Sequence, residues 1–157
     1  MAVRVIITGA ENPVLRKETT KVRSFGKGLQ KLVRDLSETV ESVKGAGLAA
    51  PQVGESLAVC IAKIGGEFTP LVNPVISWRS EQEVLGEEGC LSLPGVWLFV
   101  PRAAESIVRY HDMKGKEQER KLQGFDARVV QHEVDHLRGI LIVDYHGKGA
   151  VTPGEAL

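Results

Sequence analysis

Two histidines one helical turn apart constrain this chain more than any other feature. Residues 132–136 read His-Glu-Val-Asp-His. Apolar spacing predicts a helix over about 125–138, with Asp126 as N-cap and Gly139 just past its end. On such a helix His132 and His136 project from one face and offer two imidazoles to one ion. Glu133 stands about 100° round from His132, within reach of a water at that ion without being a ligand. Ala127, Val130, Val134 and Leu137 form a separate apolar stripe. Arg128, Gln131, Asp135 and Arg138 fill the remaining side, read as polar. A helix divided this way has to pack on a core along one face and border a cleft along another.

A catalytic divalent site takes a third protein ligand and keeps a position open. One metalloprotease pattern sets Gly three and His six residues after the second histidine. Gly139 obeys it, but the last position is Ile142, which cannot ligate. The only downstream Glu is Glu155, in the tail. His146 reads as a surface residue and His111 as a structural one. Cys90 remains, in Glu87-Glu88-Gly89-Cys90-Leu91-Ser92. Its plain reading is a buried free thiol; the lack of another third ligand favours a metal-bound thiolate. Cys and His together suit Fe, Zn, Ni or Co rather than Mg or Ca.

The rest of the chain frames this helix. Leu29, Leu32, Val33, Leu36, Val40 and Val43 mark an amphipathic helix over roughly 27–44, and Pro13 starts a short helical piece to Lys17. Short β-like runs fall at 57–63, 68–77, 82–86, 105–112 and near 117–122, with another strand-like piece at Ile140-Leu141-Ile142-Val143. Strands in the middle with helices before and after give an α+β class, read as a single domain over 1–157 with a flexible tail from about 147. Twenty basic residues balance twenty acidic ones, so no bulk attraction to nucleic acid is expected. No membrane span and no signal segment are read, which makes a soluble cytoplasmic protein the expectation. Cys60, inside Leu57-Ala58-Val59-Cys60-Ile61-Ala62, reads as a small buried hydrophobe.

Three segments stand together: Gly45-Ala46-Gly47-Leu48-Ala49-Ala50-Pro51-Gln52, then Glu88-Gly89-Cys90-Leu91-Ser92, then His132-Glu133-Val134-Asp135-His136. With Asn12-Pro13-Val14-Leu15-Arg16-Lys17, Pro101-Arg102 and Gly124-Phe125 around them, the chain resembles the peptide deformylase family over about 5–145. The resemblance implies antiparallel sheets around a central helix that carries the metal motif. It implies Cys90, His132 and His136 as metal ligands, Glu133 as general base and then acid, and Gln52 and the Leu91 N–H as oxyanion donors. Gly45, Gly47, Leu48 and Gly89 would lie against substrate. The implied reaction removes the N-formyl group from the initiator methionine of new polypeptides and releases formate. Fe(II) is the expected native ion, with Zn, Ni or Co able to occupy the site. A metallohydrolase acting on another N-acyl or peptide amide is the alternative.

Three departures from the family pattern bear on specificity. The run Leu93-Pro94-Gly95-Val96-Trp97-Leu98-Phe99-Val100 is unusually apolar, with Trp97 and Phe99 expected as core or cleft wall; the alternative is that one of them rims the cleft and contacts the residues after methionine. Ala46 and Gly86 are small where bulkier aliphatics are common, which predicts a wider methionine pocket. The tail after Asp144 is short, so ribosome contact is expected to be a transient encounter, and a monomer is favoured.

Overall fold

The computed structural model describes residues 2–146; the tail expectation from 147 onward lies outside the described residues. Among the described residues three α-helices, α1 (Pro13–Arg16), α2 (Lys27–Ser42) and α3 (Gly124–Leu137), accompany seven strands. These are β1 (Gly47–Ala49), β2 (Val59–Ile64), β3 (Glu67–Arg79), β4 (Glu83–Cys90), β5 (Leu93–Ala103), β6 (Glu105–His111) and β7 (Glu117–Gln123). Strands β1-β2-β3-β6-β7 form one sheet in that order, and β4 and β5 form a separate hairpin; each pairing between these strands is antiparallel.

The five-stranded sheet is buried on both faces near β2, and the alternation of β2 shows how. Val59 and Ile61 join Leu29, Leu32, Leu36 and Val40 of α2 in one cluster. Cys60, Ala62 and Ile64 face the other way, into a cluster with Ala127, Val130, Val134 and Leu137 of α3. The sheet thus lies between α2 and α3, and Cys60 is a free, fully buried thiol, as expected. The predicted stripe of α2 is the buried one, except that Val43 lies past the helix end and is exposed. A third cluster joins Leu15 of α1 and Leu93, Leu98 and Val100 of β5 to Leu141 and Ile142, fastening the hairpin to the chain ends.

Several expectations need correction. The strand set at 82–86 continues to Cys90 through Glu87, Glu88 and Gly89, residues of low β-propensity that pair across to β5. Within the loop read over 45–56, Gly47–Ala49 forms β1 and Ala50–Val53 a 3-10 turn. Ile140–Val143 is not a strand: Ile142–Tyr145 is a 3-10 turn, and its apolar side chains fill the third cluster. Asp126 is not the N-cap of α3, which is Gln123; Asp126 lies in the first turn and accepts the Gly65 N–H at 3.1 Å. The polar side of α3 is only partly exposed: Arg138 faces water and Arg128 is intermediate. Gln131 and Asp135 are buried, and Gln131 clamps both backbone groups of Ala103 at 3.1 and 3.0 Å.

Candidate metal centre

Helix α3 brings His132 and His136 together with ring centroids 5.0 Å apart. Cys90 arrives from the hairpin. Between the pairs Gly89–Trp97 and Cys90–Leu93 the register of β4 and β5 shifts, with Pro94, Gly95 and Val96 intervening on β5. Such an irregularity re-aims a side chain, and here Cys90 Sγ comes to 3.4 Å from His136 Nε2. The donor atoms of Cys90, His132 and His136 all lie within 4.8 Å of one another.

These distances fit an ion. A thiolate sulfur about 2.3 Å and an imidazole nitrogen about 2.1 Å from one tetrahedral centre stand roughly 3.6 Å apart. The electrostatics agree. Burial alone lowers the His132 pKa, but Cys90 on one side and Glu88 on the other outweigh it and raise it to about 10. A ring that holds a proton this strongly between a sulfur and a carboxylate sits in a field that favours a cation. Burial keeps His136 well below the ordinary range, so its ring is neutral, the form that ligates.

Glu88, at the buried end of β4, orients the first histidine. Its Oε1 accepts His132 Nδ1 at 2.8 Å, which leaves Nε2 for the centre. Arg102 grips the same carboxylate with Nε and Nη2, both at 2.9 Å, and Arg128 Nη1 adds a third hold at 2.6 Å. Burial opposes the charge on Glu88, but the bonds from Arg102 and His132 prevail and hold its pKa well below the usual carboxylate range. Arg102 Nη1 also donates to Asp135 at 2.6 Å, and the Tyr145 hydroxyl donates to Asp135 Oδ2 at 2.6 Å. The sequence reading missed this support. Its available signal was spacing: Glu88 is two residues before Cys90, and Asp135 precedes His136.

Glu133 is buried, and its Oε1 has no hydrogen-bond partner among the described residues. Burial pushes its pKa up to about 7, and the positive His132 only partly offsets this. It faces Gly47, where a Cβ would stand 2.6 Å from Glu133 Oε2 and 2.9 Å from Cγ. Gln52 is buried in the turn after β1. Its Oε1 accepts the Ala49 N–H at 2.9 Å, and its Nε2 donates to Ser92 Oγ at 3.1 Å and lies 3.9 Å from Cys90 Sγ.

A cleft of about 550 Å³ opens on this group. Gly45, Gly47, Gln52, Gly89, Cys90, Leu91, His132 and Glu133 all line it. Leu48 does not: it is fully buried, in the cluster with α2. His136 is 2 % exposed and lies behind the cleft surface. Trp97 is cleft wall and not core. It is 54 % exposed, and its ring lies across Gly89, where a Cβ would meet Cζ3 at 2.6 Å. His111 is structural, as read: its Nδ1 is 3.3 Å from Asn73 Nδ2, and its ring packs edge-on to Phe25. His146 is exposed.

A polypeptide deformylase family model matches residues 5–150. A peptide deformylase of Dictyoglomus turgidum is 44% identical over 133 residues, covering 85% of this chain and 86% of its own. The crystal structure of peptide deformylase from Thermotoga maritima superposes with a TM-score of 0.87 at 37% identity, covering 90% of this chain and 96% of its own. A Met-Ala-Ser-bound crystal structure of the class I type b enzyme from Acinetobacter baumannii superposes equally well, with TM-score 0.87, 35% identity and coverage of 90% and 97%. A family match spanning nearly all of the sequence, on a fold shared with solved members, leaves one assignment: the chain belongs to the peptide deformylase family.

Proposed function

We propose that this chain is a metal-dependent amide hydrolase that removes the N-formyl group from the N-terminal methionine of new polypeptides and releases formate. The observation that carries the reading is the meeting of Cys90, His132 and His136 beside a buried, unpartnered Glu133 oxygen at the cleft floor. The Met-Ala-Ser bound to the Acinetobacter baumannii relative supports a short peptide with N-terminal methionine as the occupant of this cleft.

Cys90, His132 and His136 are the ligands in this reading. A divalent ion held by them supplies a Lewis acid that brings the pKa of water toward neutrality. Glu133 accepts the proton of the attacking water at its carboxylate and returns it to the departing amine. Gln52 Nε2 and the Leu91 N–H donate to the oxyanion that forms on the formyl carbon, each such donor contributing about 3 kcal/mol. Gly45, Gly47 and Gly89, with the Leu48 backbone, let the peptide main chain lie close. Glu88 fixes the His132 tautomer throughout. Fe(II) is the native ion in this reading, and Zn, Ni or Co substitute. One catalytic domain spans 1–157, acting in the cytoplasm on nascent chains met at or after the ribosome. Among the described residues no helix is long and apolar enough to cross a membrane.

Formate release from formyl-Met-Ala-Ser by protein purified anaerobically tests this. Glu133→Ala is expected to keep its metal and lose at least about 10²-fold in kcat. A Glu133→Ala variant as fast as the native protein, or a metal-loaded native protein that releases no formate, would refute it.

A further inference from the structure

Strand β3 outruns its neighbour β2. The pairing with β2 runs from Glu67 to Val72, whereas the pairing with β6 continues from Val72 to Arg79. On the β2 side the last backbone bond is from the Asn73 N–H to Ala58 O, at 2.7 Å. Past it, residues 74–79 have no strand on that side among the described residues. Such an edge offers backbone N–H and C=O groups to another chain. A groove of about 620 Å³ runs along it, bounded by Glu18, Thr19 and Lys21 of the N-terminal arm and by Val134, Leu137 and Arg138 at the end of α3. It shares no lining residue with the metal cleft.

The edge is basic on both faces of the sheet. Register sets Arg79 opposite Ser106, on the face that Val108 and Tyr110 turn toward α3, where Arg138 also stands. Val75 and Arg109 oppose each other on the other face. Arg109 meets Glu117 and Glu119 only at 3.7 and 3.8 Å, and Lys21, Arg79 and Arg138 form no ion pair among the described residues. Along the groove these four cations face two carboxylates, Glu18 and Glu117, in a chain whose charges otherwise balance. Between the arginines, Val75 is exposed and Ile76 half-buried.

We propose that the 74–79 edge of β3 is a docking site for an extended acidic peptide segment of another protein, which adds a strand to the sheet beside the end of α3. Main-chain bonds along the edge supply affinity. Carboxylates meeting arginines on both faces supply selectivity, since a guanidinium matches a carboxylate with two parallel bonds. A second copy of this chain is a poor occupant: its own edge would set arginine against arginine, and Pro74 with two register shifts blunts flat self-pairing. A nucleic acid would satisfy the charge but none of the edge peptide groups. The proposal stands apart from the deformylase reading, because the groove and the metal cleft are separate.

The probe is a fluorescein-labelled Glu-Val-Glu-Val-Glu-Val peptide, titrated with the native full chain at low salt and followed by fluorescence anisotropy. Saturable binding is expected, with a Lys-Val hexapeptide and oligo-uridylate each at least about ten-fold weaker. Two further probes carry N-methyl groups, one on every Val and the other on every Glu. A strand uses the N–H groups of alternate residues toward one neighbour, so one of these probes should lose binding and the other keep it. Arg79→Glu combined with Arg138→Glu should weaken the Glu-Val probe at least about ten-fold and leave formate release unchanged. Four results would overturn the proposal: no saturable binding of the Glu-Val probe; oligo-uridylate binding as tightly; both methylated probes binding like the parent; or the charge reversal without effect. Sedimentation of the native chain as a dimer that the charge reversal dissociates would assign the edge to a second copy and overturn it too. Should the double variant not fold, the methylated probes on the native chain decide.

Discussion

Replacing Arg102 by Met removes the cation that holds two buried carboxylates together. Arg102 is 4 % exposed and donates to Glu88 twice at 2.9 Å, to Asp135 at 2.6 Å and to the Tyr145 hydroxyl at 3.2 Å, with Tyr145 stacked at 4.9 Å. Met fills much of the volume, so packing loss is small and the charge imbalance dominates. Removing one partner of a buried ion pair costs about 3–5 kcal/mol, because the other charge stays buried without compensation. Here two carboxylates lose their shared partner, and only Glu88 retains another arginine, Arg128. For a chain of this size each kcal/mol moves Tm by about 2–4 °C, so a fall of about 6–20 °C is expected. Urea titration of native and Arg102→Met protein should show a lower midpoint at unchanged slope. Arg109→Met is the internal control: Arg109 is 58% exposed and meets Glu117 and Glu119 only at 3.7 and 3.8 Å, so its loss should cost about 0–1 kcal/mol. If Arg102→Met costs no more than the control, the buried network does not hold the hairpin to α3.

Other perturbations test separate parts of the structure. Gly47→Ala should displace Glu133, since the new Cβ would stand 2.6 Å from its Oε2; formate release should fall at least about ten-fold with metal content unchanged, and native kcat would contradict this. Leu36→Ala empties a fully buried site between α2 and the sheet and should lower urea-unfolding stability by about 2–5 kcal/mol. Asp35 is buried and accepts from the Ala2 N–H at 2.9 Å, Arg4 Nε at 2.8 Å and Lys31 Nζ at 3.1 Å; burial opposes its charge, but these bonds hold its pKa well below the ordinary value. A depressed folded pKa stabilises above the unfolded value of about 3.9 and is lost as pH falls toward the folded one. The stability gap between native and Asp35→Asn should thus be full at pH 7 and shrink below about pH 4; a gap constant down to pH 2 would refute the assignment.

Periodicity made much of the architecture legible. The α2 stripe and the apolar stripe of α3 are both the faces that pack, because each buries against a sheet whose alternation is regular. The Cys90, His132 and His136 group was legible because two imidazoles one helical turn apart left a third ligand to be found, and a thiol suits the same ions. What escaped was structure set by tertiary partners. The Glu87-Glu88-Gly89 stretch has no strand character of its own and is extended because β5 pairs with it. This side of α3 read only as polar because sequence shows charge but not its complement: Asp135 is buried against Arg102 and Arg128 is largely covered beside Glu88, residues far along the chain. The Trp97 strand pattern left core and cleft wall both open, and the neighbouring Gly89 decides between them by letting its ring cover backbone at the cleft edge. Gly86 looked like a gap for the same reason, since nothing local announces that Arg128 fills it.

Co(II) loading of the native protein and of Cys90→Ala decides whether a distant thiol and the two α3 histidines bind one ion. The native protein should take up one Co(II) per chain and show a thiolate-to-metal charge-transfer band in the near ultraviolet. In Cys90→Ala that band should vanish and the affinity should fall. A native protein that binds no Co(II), or a band that persists without Cys90, would contradict the centre described.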